Sequence, residues 1–396
     1  MDPIPPQLDP PSRLLMGPGP SPVHPRVLAA LSAPTVGHLD PYFLAIMDET
    51  RTLLQRLFGT TSALSFPVSG TGSAGMEACL ANAVEPGDRV VIAQNGVFGG
   101  RMADMVERLG GDLVRVEVPF GQAIDPERVR AAIANKPTKL VGIVHAETST
   151  GVAQELQEIA QVAHEVDALL LADCVTSLGG IPVALDTWGV DLAYAGTQKC
   201  LSCPPGLAPV SFSQRAIEAI RTRRQKVASW YLDATLLLNY WSGERVYHHT
   251  APVNMVYGLR EALRVVMQEG LAQVYARHQL HHRALVAGLE AMGLRMLVSP
   301  PLRLPQLNTV EVPEGVDDVW LRRTLLDDFN IEIGGGLGAF KGKALRIGLM
   351  GHGARREHVV TLLSALESVL GAAGVNVPGG AGVHAANQVW HAAASR

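Results

Sequence analysis

The chain has 396 residues, with 33 Lys and Arg against 37 Asp and Glu for a formal charge of −4. That is too long for one small module, and no basic block is dense enough to recruit a phosphate backbone, so nucleic acid is not an expected ligand. Hydrophobic residues make up 47% and charged residues only 18%, little charge to cover a surface, which favours an oligomer.

The opening MDPIPPQLDPPSR places prolines where a signal peptide needs a continuous apolar core. No apolar run approaches the roughly 20 residues that span a bilayer, so a cytoplasmic protein without a membrane partner is expected. Residues 1–25 read as an extended, Pro-rich arm that must lie on something else to be ordered. From about 26 to 210, short apolar runs alternate with amphipathic stretches, the α/β pattern of a mainly parallel sheet covered by helices, within a large domain expected over 26–270. Expected strands run from Arg89 to Ala93, Leu113 to Val118, Leu140 to His145, Ala168 to Ala172 and Leu192 to Ala195. Ala74 to Val84 and Glu155 to Val166 read as crossover helices, and a longer helical pattern runs from Val253 to Gly270. Residues 271–376 read as a smaller α+β domain: helix Val274 to Met292, strand Asn308 to Val312, helix Val316 to Phe329, strand Ala344 to Gly348 and a helix from Glu357. The tail, 377–396, carries Gly and Ala without clear periodicity and is expected to be irregular.

In open α/β sheets, ligands sit beyond the carboxyl ends of the strands. The run ALLLA ends in Asp173; the 140–145 strand leads to Glu147 and Thr148; the 89–93 strand leads to Asn95, Gly96 and Phe98; Leu192 to Ala195 leads to Gln198 and Lys199. Asp173 and Thr148 taken alone could be helix caps or structural groups. Lys199 is more informative. The chain has six lysines, and the other five, at 136, 139, 226, 341 and 343, sit in polar or Gly-rich loops or a basic helix. A lone lysine just beyond an apolar strand can be desolvated, lose its charge and act as an amine nucleophile or base.

The segment VSGTGSAGMEA supplies Gly70, Gly72 and Gly75, a GxGxxG pattern opening a helix whose amides can hold phosphate. A dinucleotide site expects an acidic residue at the end of the following strand. Here Asp88 precedes that strand, and Gln94 and Asn95 end it, which favours one phosphate on Thr71, Gly72 and Ser73. A phosphate cradle, a buried carboxylate, an aromatic ring and a nucleophilic lysine are the parts a pyridoxal phosphate site needs. Cys200 and Cys203 form a CxxC without a second ligand pair, so reduced thiols and no metal are expected. GGGLGAFKGKA (334–344) has the wrong spacing for a nucleotide loop and reads as a mobile loop near a substrate entrance.

The sequence closely resembles the class V aminotransferases of fold type I, in particular the alanine:glyoxylate (serine:pyruvate) group. The blocks that carry the resemblance include LLMGPGPSPVHPRVL, EPGDRVVIAQNGVFG, HAETSTGV, ADCVTSLGG, GTQKCLSCPPG, YHHTAPV and LRIGLMGHGARREHV, in the family's order over nearly the whole chain. The resemblance implies pyridoxal 5'-phosphate as cofactor, covalently joined to Lys199, with Asp173 paired to the pyridine nitrogen, Phe98 stacked on the ring and Val175 on its other face. It places Thr148 by the ring hydroxyl and Thr71, Gly72, Ser73 and Gln198 on the phosphate. Tyr247 and Thr250 are then supplied by the second subunit of a homodimer. Arg346 would clamp the substrate carboxylate in a bidentate fork, and Thr148 would also face substrate. Ser73 departs from relatives that carry histidine there.

The expected activity is ping-pong transamination of L-alanine or L-serine with glyoxylate, giving pyruvate or hydroxypyruvate and glycine. Related aminotransferases acting on ureidoglycine with glyoxylate, or on aminoethylphosphonate with pyruvate, are alternatives. A cysteine desulfurase needs a thiol on a small-domain loop, whereas Cys79, Cys174, Cys200 and Cys203 all precede that domain. An NAD-dependent dehydrogenase would leave Lys199, Asp173 and Arg346 without roles, and a non-catalytic binding protein would not need Lys199.

Overall fold

The computed structural model describes residues 4–134 and 136–395. Seven strands, β1 (Leu64–Ser69), β2 (Arg89–Gln94), β3 (Asp112–Glu117), β4 (Leu140–Val144), β5 (Leu169–Asp173), β6 (Leu192–Tyr194) and β7 (Leu207–Phe212), form one sheet. Their order is β1-β7-β6-β5-β4-β2-β3. β4 and β5 are buried at every residue, as continuous apolar runs are in a sheet covered on both faces. All pairings are parallel except those of β7, which runs antiparallel to both β1 and β6. β1 therefore points the same way as β6, and the carboxyl ends of β1, β2, β4, β5 and β6 share one edge. Helices α1 (Gly72–Ala83), α2 (Val97–Arg108) and α3 (Gln157–His164) belong to this layer.

β1 and β7 are absent from the strands expected above, for a physical reason. Each carries a proline, which argues against a strand inside a sheet, yet Pro67 and Pro209 stand opposite each other in register. The pair is a non-hydrogen-bonded one: the Pro209 carbonyl turns away from β1 to accept from Ala195 N–H at 2.7 Å, and the Pro67 nitrogen, on the edge strand, faces the open side of the sheet.

Beyond helices α4 (Val253–Glu269) and α5 (Leu271–Ala291), an antiparallel sheet is built from β8 (Leu307–Glu311), β9 (Gly334–Gly335) and β10 (Ala344–Gly348) in the order β8-β10-β9. It packs with α6 (Asp318–Phe329) and α7 (Arg356–Ala372) around a second apolar cluster that includes Leu289, Leu321, Ile347 and Leu366, separate from the large cluster around the first sheet. The 334–344 segment, read as a loop, contains β9 and a short 3₁₀ turn, Gly338–Phe340, whose Phe340 ring packs edge-on to Phe120 at 5.5 Å.

The tail differs from expectation. Ala381–Ala394 is a helix, α8, docked on α5 and α7. Gly382, Ala386 and Trp390 recur every fourth residue and are buried, but two of the three are too small to register as an apolar stripe. Their smallness permits close approach, and Trp390 completes the contact with its indole N–H on His281 Nδ1 at 3.2 Å and Arg356 over its ring at 4.8 Å. At the other terminus, Leu14–Leu15 pairs in parallel with Ile331–Glu332, and Met16 is buried in the second cluster. Among the described residues, no helix is long and apolar enough to cross a membrane.

Candidate active site

The shared strand edge becomes a cavity. Thr71, Gly72 and Ser73 reach it from the start of α1, Phe98 from α2, Thr148 from the turn after β4, Asp173 from the end of β5, Val175 just beyond, and Gln198 and Lys199 from the loop after β6. Arg346 is outside that wall but bonded to it, because its Nη1 donates to the Thr148 carbonyl at 3.0 Å. Tyr247 and Thr250 do not line the cavity of this single chain and are exposed, Tyr247 at 57%.

Asp173 is 3% exposed, and burial pushes its carboxyl up to about 7. Two donors counter that push: the Tyr194 hydroxyl at 2.7 Å and the Val175 N–H at 2.8 Å. Tyr194 escaped the sequence reading because its place depends on pairing. It closes β6 directly opposite Asp173 in the parallel register, so the phenol and carboxylate emerge side by side.

Lys199 is equally enclosed. Burial lowers its ammonium to about 8; Cys200 pulls the other way, Arg346 adds a smaller lowering push, and Asp173 a smaller still opposing one. Its Nζ donates to the Pro18 carbonyl, and the Ser21 hydroxyl donates to its own carbonyl at 2.6 Å. The arm therefore folds over the lysine. Gly19 makes this possible: its φ is +106°, and a Cβ there would stand 2.6 Å from Nζ.

The other strand ends are tied together by Glu147. Its fully buried carboxylate, raised by desolvation, accepts from Ser149 Oγ at 2.7 Å, Ser149 N–H at 2.9 Å and Phe98 N–H at 3.2 Å. This caps α2 and orients Phe98. Gly96 is required by proximity, since a Cβ would fall 2.4 Å from the Glu147 side chain. Arg346, on β10, is 7% exposed and is also held by the Gly335 carbonyl at 2.7 Å. Burial lowers it to about 10, with Glu147 pulling the other way. It stays cationic at neutral pH, and the two backbone carbonyls fix its orientation.

Among the described residues, one buried polar atom on the wall has no partner: Gln198 Oε1. Thr71 caps α1 without a side-chain hydrogen bond, so its hydroxyl is not consumed by the helix. The thiols are not part of this chemistry. All four are free and buried, and burial pushes Cys174, Cys200 and Cys203 up to about 12. Arg101, Thr176 and Met76 also line the cavity and carry no signal in sequence spacing that distinguishes them from neighbours.

The family model for class V aminotransferases matches residues 15–351. The chain is 39% identical over 398 residues to the (S)-ureidoglycine–glyoxylate transaminase of Bacillus subtilis, covering 96% of each. It is 41% identical over 365 residues to the alanine–glyoxylate aminotransferase of Drosophila melanogaster, covering 91% of this chain and 93% of that one. The crystal structure of alanine–glyoxylate aminotransferase from Nostoc sp. superposes with a TM-score of 0.91 at 52% identity, over 92% of this chain and 97% of that one. The sheet order, the enclosed lysine and these likenesses agree: the chain belongs to the class V aminotransferases, enzymes dependent on pyridoxal phosphate.

Proposed function

We propose that the chain transfers the amino group of a small L-amino acid, L-alanine or L-serine, to glyoxylate by a ping-pong mechanism, releasing pyruvate or hydroxypyruvate and then glycine, as a cytoplasmic homodimer. The observation that carries this reading is a buried lysine lowered to about 8 in the same cavity as a buried carboxylate, with a buried guanidinium fixed at the cavity's edge. The unpartnered Gln198 Oε1 and the uncommitted Thr71 hydroxyl fit a polar ligand at the start of α1, as the phosphate of pyridoxal phosphate requires.

When bound, pyridoxal phosphate supplies an electron sink that acidifies the substrate Cα–H. Lys199 would hold the cofactor through its amine, and its free amine would move the substrate Cα proton, a task suited to an amine lowered toward neutrality. Asp173, kept in place by Tyr194 and Val175, would hold a proton on the ring nitrogen. Phe98 and Val175 would enclose the ring, Thr148 would face its hydroxyl, and Thr71, Gly72, Ser73 and Gln198 would take the phosphate, joined by Tyr247 and Thr250 of a second subunit. Arg346 orients the substrate carboxylate. Support for the dimer comes from exposed apolar side chains in the same stretch as Tyr247, with Trp230 62% and Val246 53% exposed.

The likeness to the Bacillus enzyme supports a second donor, ureidoglycine. The test is the visible absorption of the purified protein with L-alanine, L-serine and (S)-ureidoglycine in turn. A band bleached by alanine or serine and restored by glyoxylate is the expected result. Bleaching by ureidoglycine alone would overturn the donor assignment, and a protein that stays colourless with added pyridoxal phosphate would overturn the whole reading.

A further inference from the structure

The residues assigned to the phosphate, Thr71, Gly72, Ser73 and Gln198, bring hydroxyls, amides and N–H groups but no formal charge. The cavity wall carries three charged side chains, Lys199, Asp173 and Arg101, and the first two already have work. Arg101 stands one turn after Phe98 on α2, on the same helix face, with its guanidinium carbon 4.8 Å from the Phe98 ring centroid. The carboxylate one turn further along, Asp104, is taken by Arg108 at 2.8 Å. Among the described residues Arg101 has no ion pair at all. An exposed planar fork on an aromatic face, lining the same cavity as the start of α1 and without an anion, can meet a phosphate dianion held there.

We propose that Arg101 is the cationic partner of the cofactor's phosphate, an inference that rests on the pyridoxal phosphate reading above. Stacking on Phe98 limits the freedom lost on binding, and the charge offsets the dianion that neutral donors alone would have to hold.

The experiment titrates the full chain, stripped of cofactor, with pyridoxal phosphate and with pyridoxal, which lacks the phosphate, reading the visible band of the bound species. Arg101→Gln should weaken pyridoxal phosphate binding about tenfold or more, the worth of one charged hydrogen bond, while leaving pyridoxal unchanged. The gap from wild type should narrow at high salt, and Arg101→Lys should recover part of the loss. Equal weakening of both ligands, which would mean that Arg101 only supports Phe98, overturns the proposal, as does no loss for either. Wild-type protein that takes up neither ligand overturns the underlying cofactor reading, and this inference with it.

Discussion

Lys199 offers the sharpest quantitative test of the site, with pH as the perturbation. At pH 7 an ammonium lowered to about 8 leaves about one amine in ten free, whereas an ordinary lysine at 10.5 leaves about one in 3,000. Burial, reinforced by Arg346, thus gives the amine about a 300-fold advantage in reactive fraction. The assay is the rate at which cofactor-free protein captures pyridoxal phosphate, trapped with borohydride and located by peptide mass. Capture at Lys199 should rise about tenfold per pH unit well below the midpoint and level off just above pH 8. Arg346→Gln removes a repelling cation and should move the plateau upward. A rate at Lys199 that climbs unbroken to pH 10 would refute the argument that enclosure by the arm and Arg346 sets this amine's chemistry.

Two further outcomes follow from the same physics. In the cofactor-free protein, Asp173 sits at about 7, above its ordinary 3.8, so its contribution to stability is fully present below 3.8 and is lost as pH rises through 7. That amounts to about 3 kcal/mol between pH 5 and 8. Asp173→Asn removes this titration, so the wild-type thermal midpoint should fall relative to the variant's across that range; parallel profiles would show that Asp173 is not held protonated by burial. For α8, Trp390→Ala should cost about 3–5 kcal/mol, because a 6%-exposed indole leaves a cavity between α5, α7 and α8. Urea denaturation checks it, and a loss below about 1 kcal/mol would mean that the helix is not docked.

Much of the site was readable along the chain because its parts are local. A buried strand advertises itself by a continuous apolar run, and the residues at its carboxyl end are simply the next ones in sequence: Asp173 after LLLA, Thr148 after β4, and Lys199 within the loop after β6. Lys199 was conspicuous because so few lysines compete with it. What escaped was what depends on two distant segments meeting. Tyr194 reaches Asp173 only through the β5–β6 register, and Pro67 is tolerable because β1 lies at the edge of the sheet with that nitrogen turned away from β7. Gly382 and Ala386 look featureless until α5 lies against them. Pro18 and Gly19 cover Lys199 from 181 and 180 positions away, a contact that no local pattern encodes. Periodicity and composition report whether a residue is buried, since burial is a property of one segment's own faces. Which group it meets there, and so how far Asp173 and Lys199 move from their ordinary protonation, is decided by packing, because desolvation and charge act through space rather than along the chain.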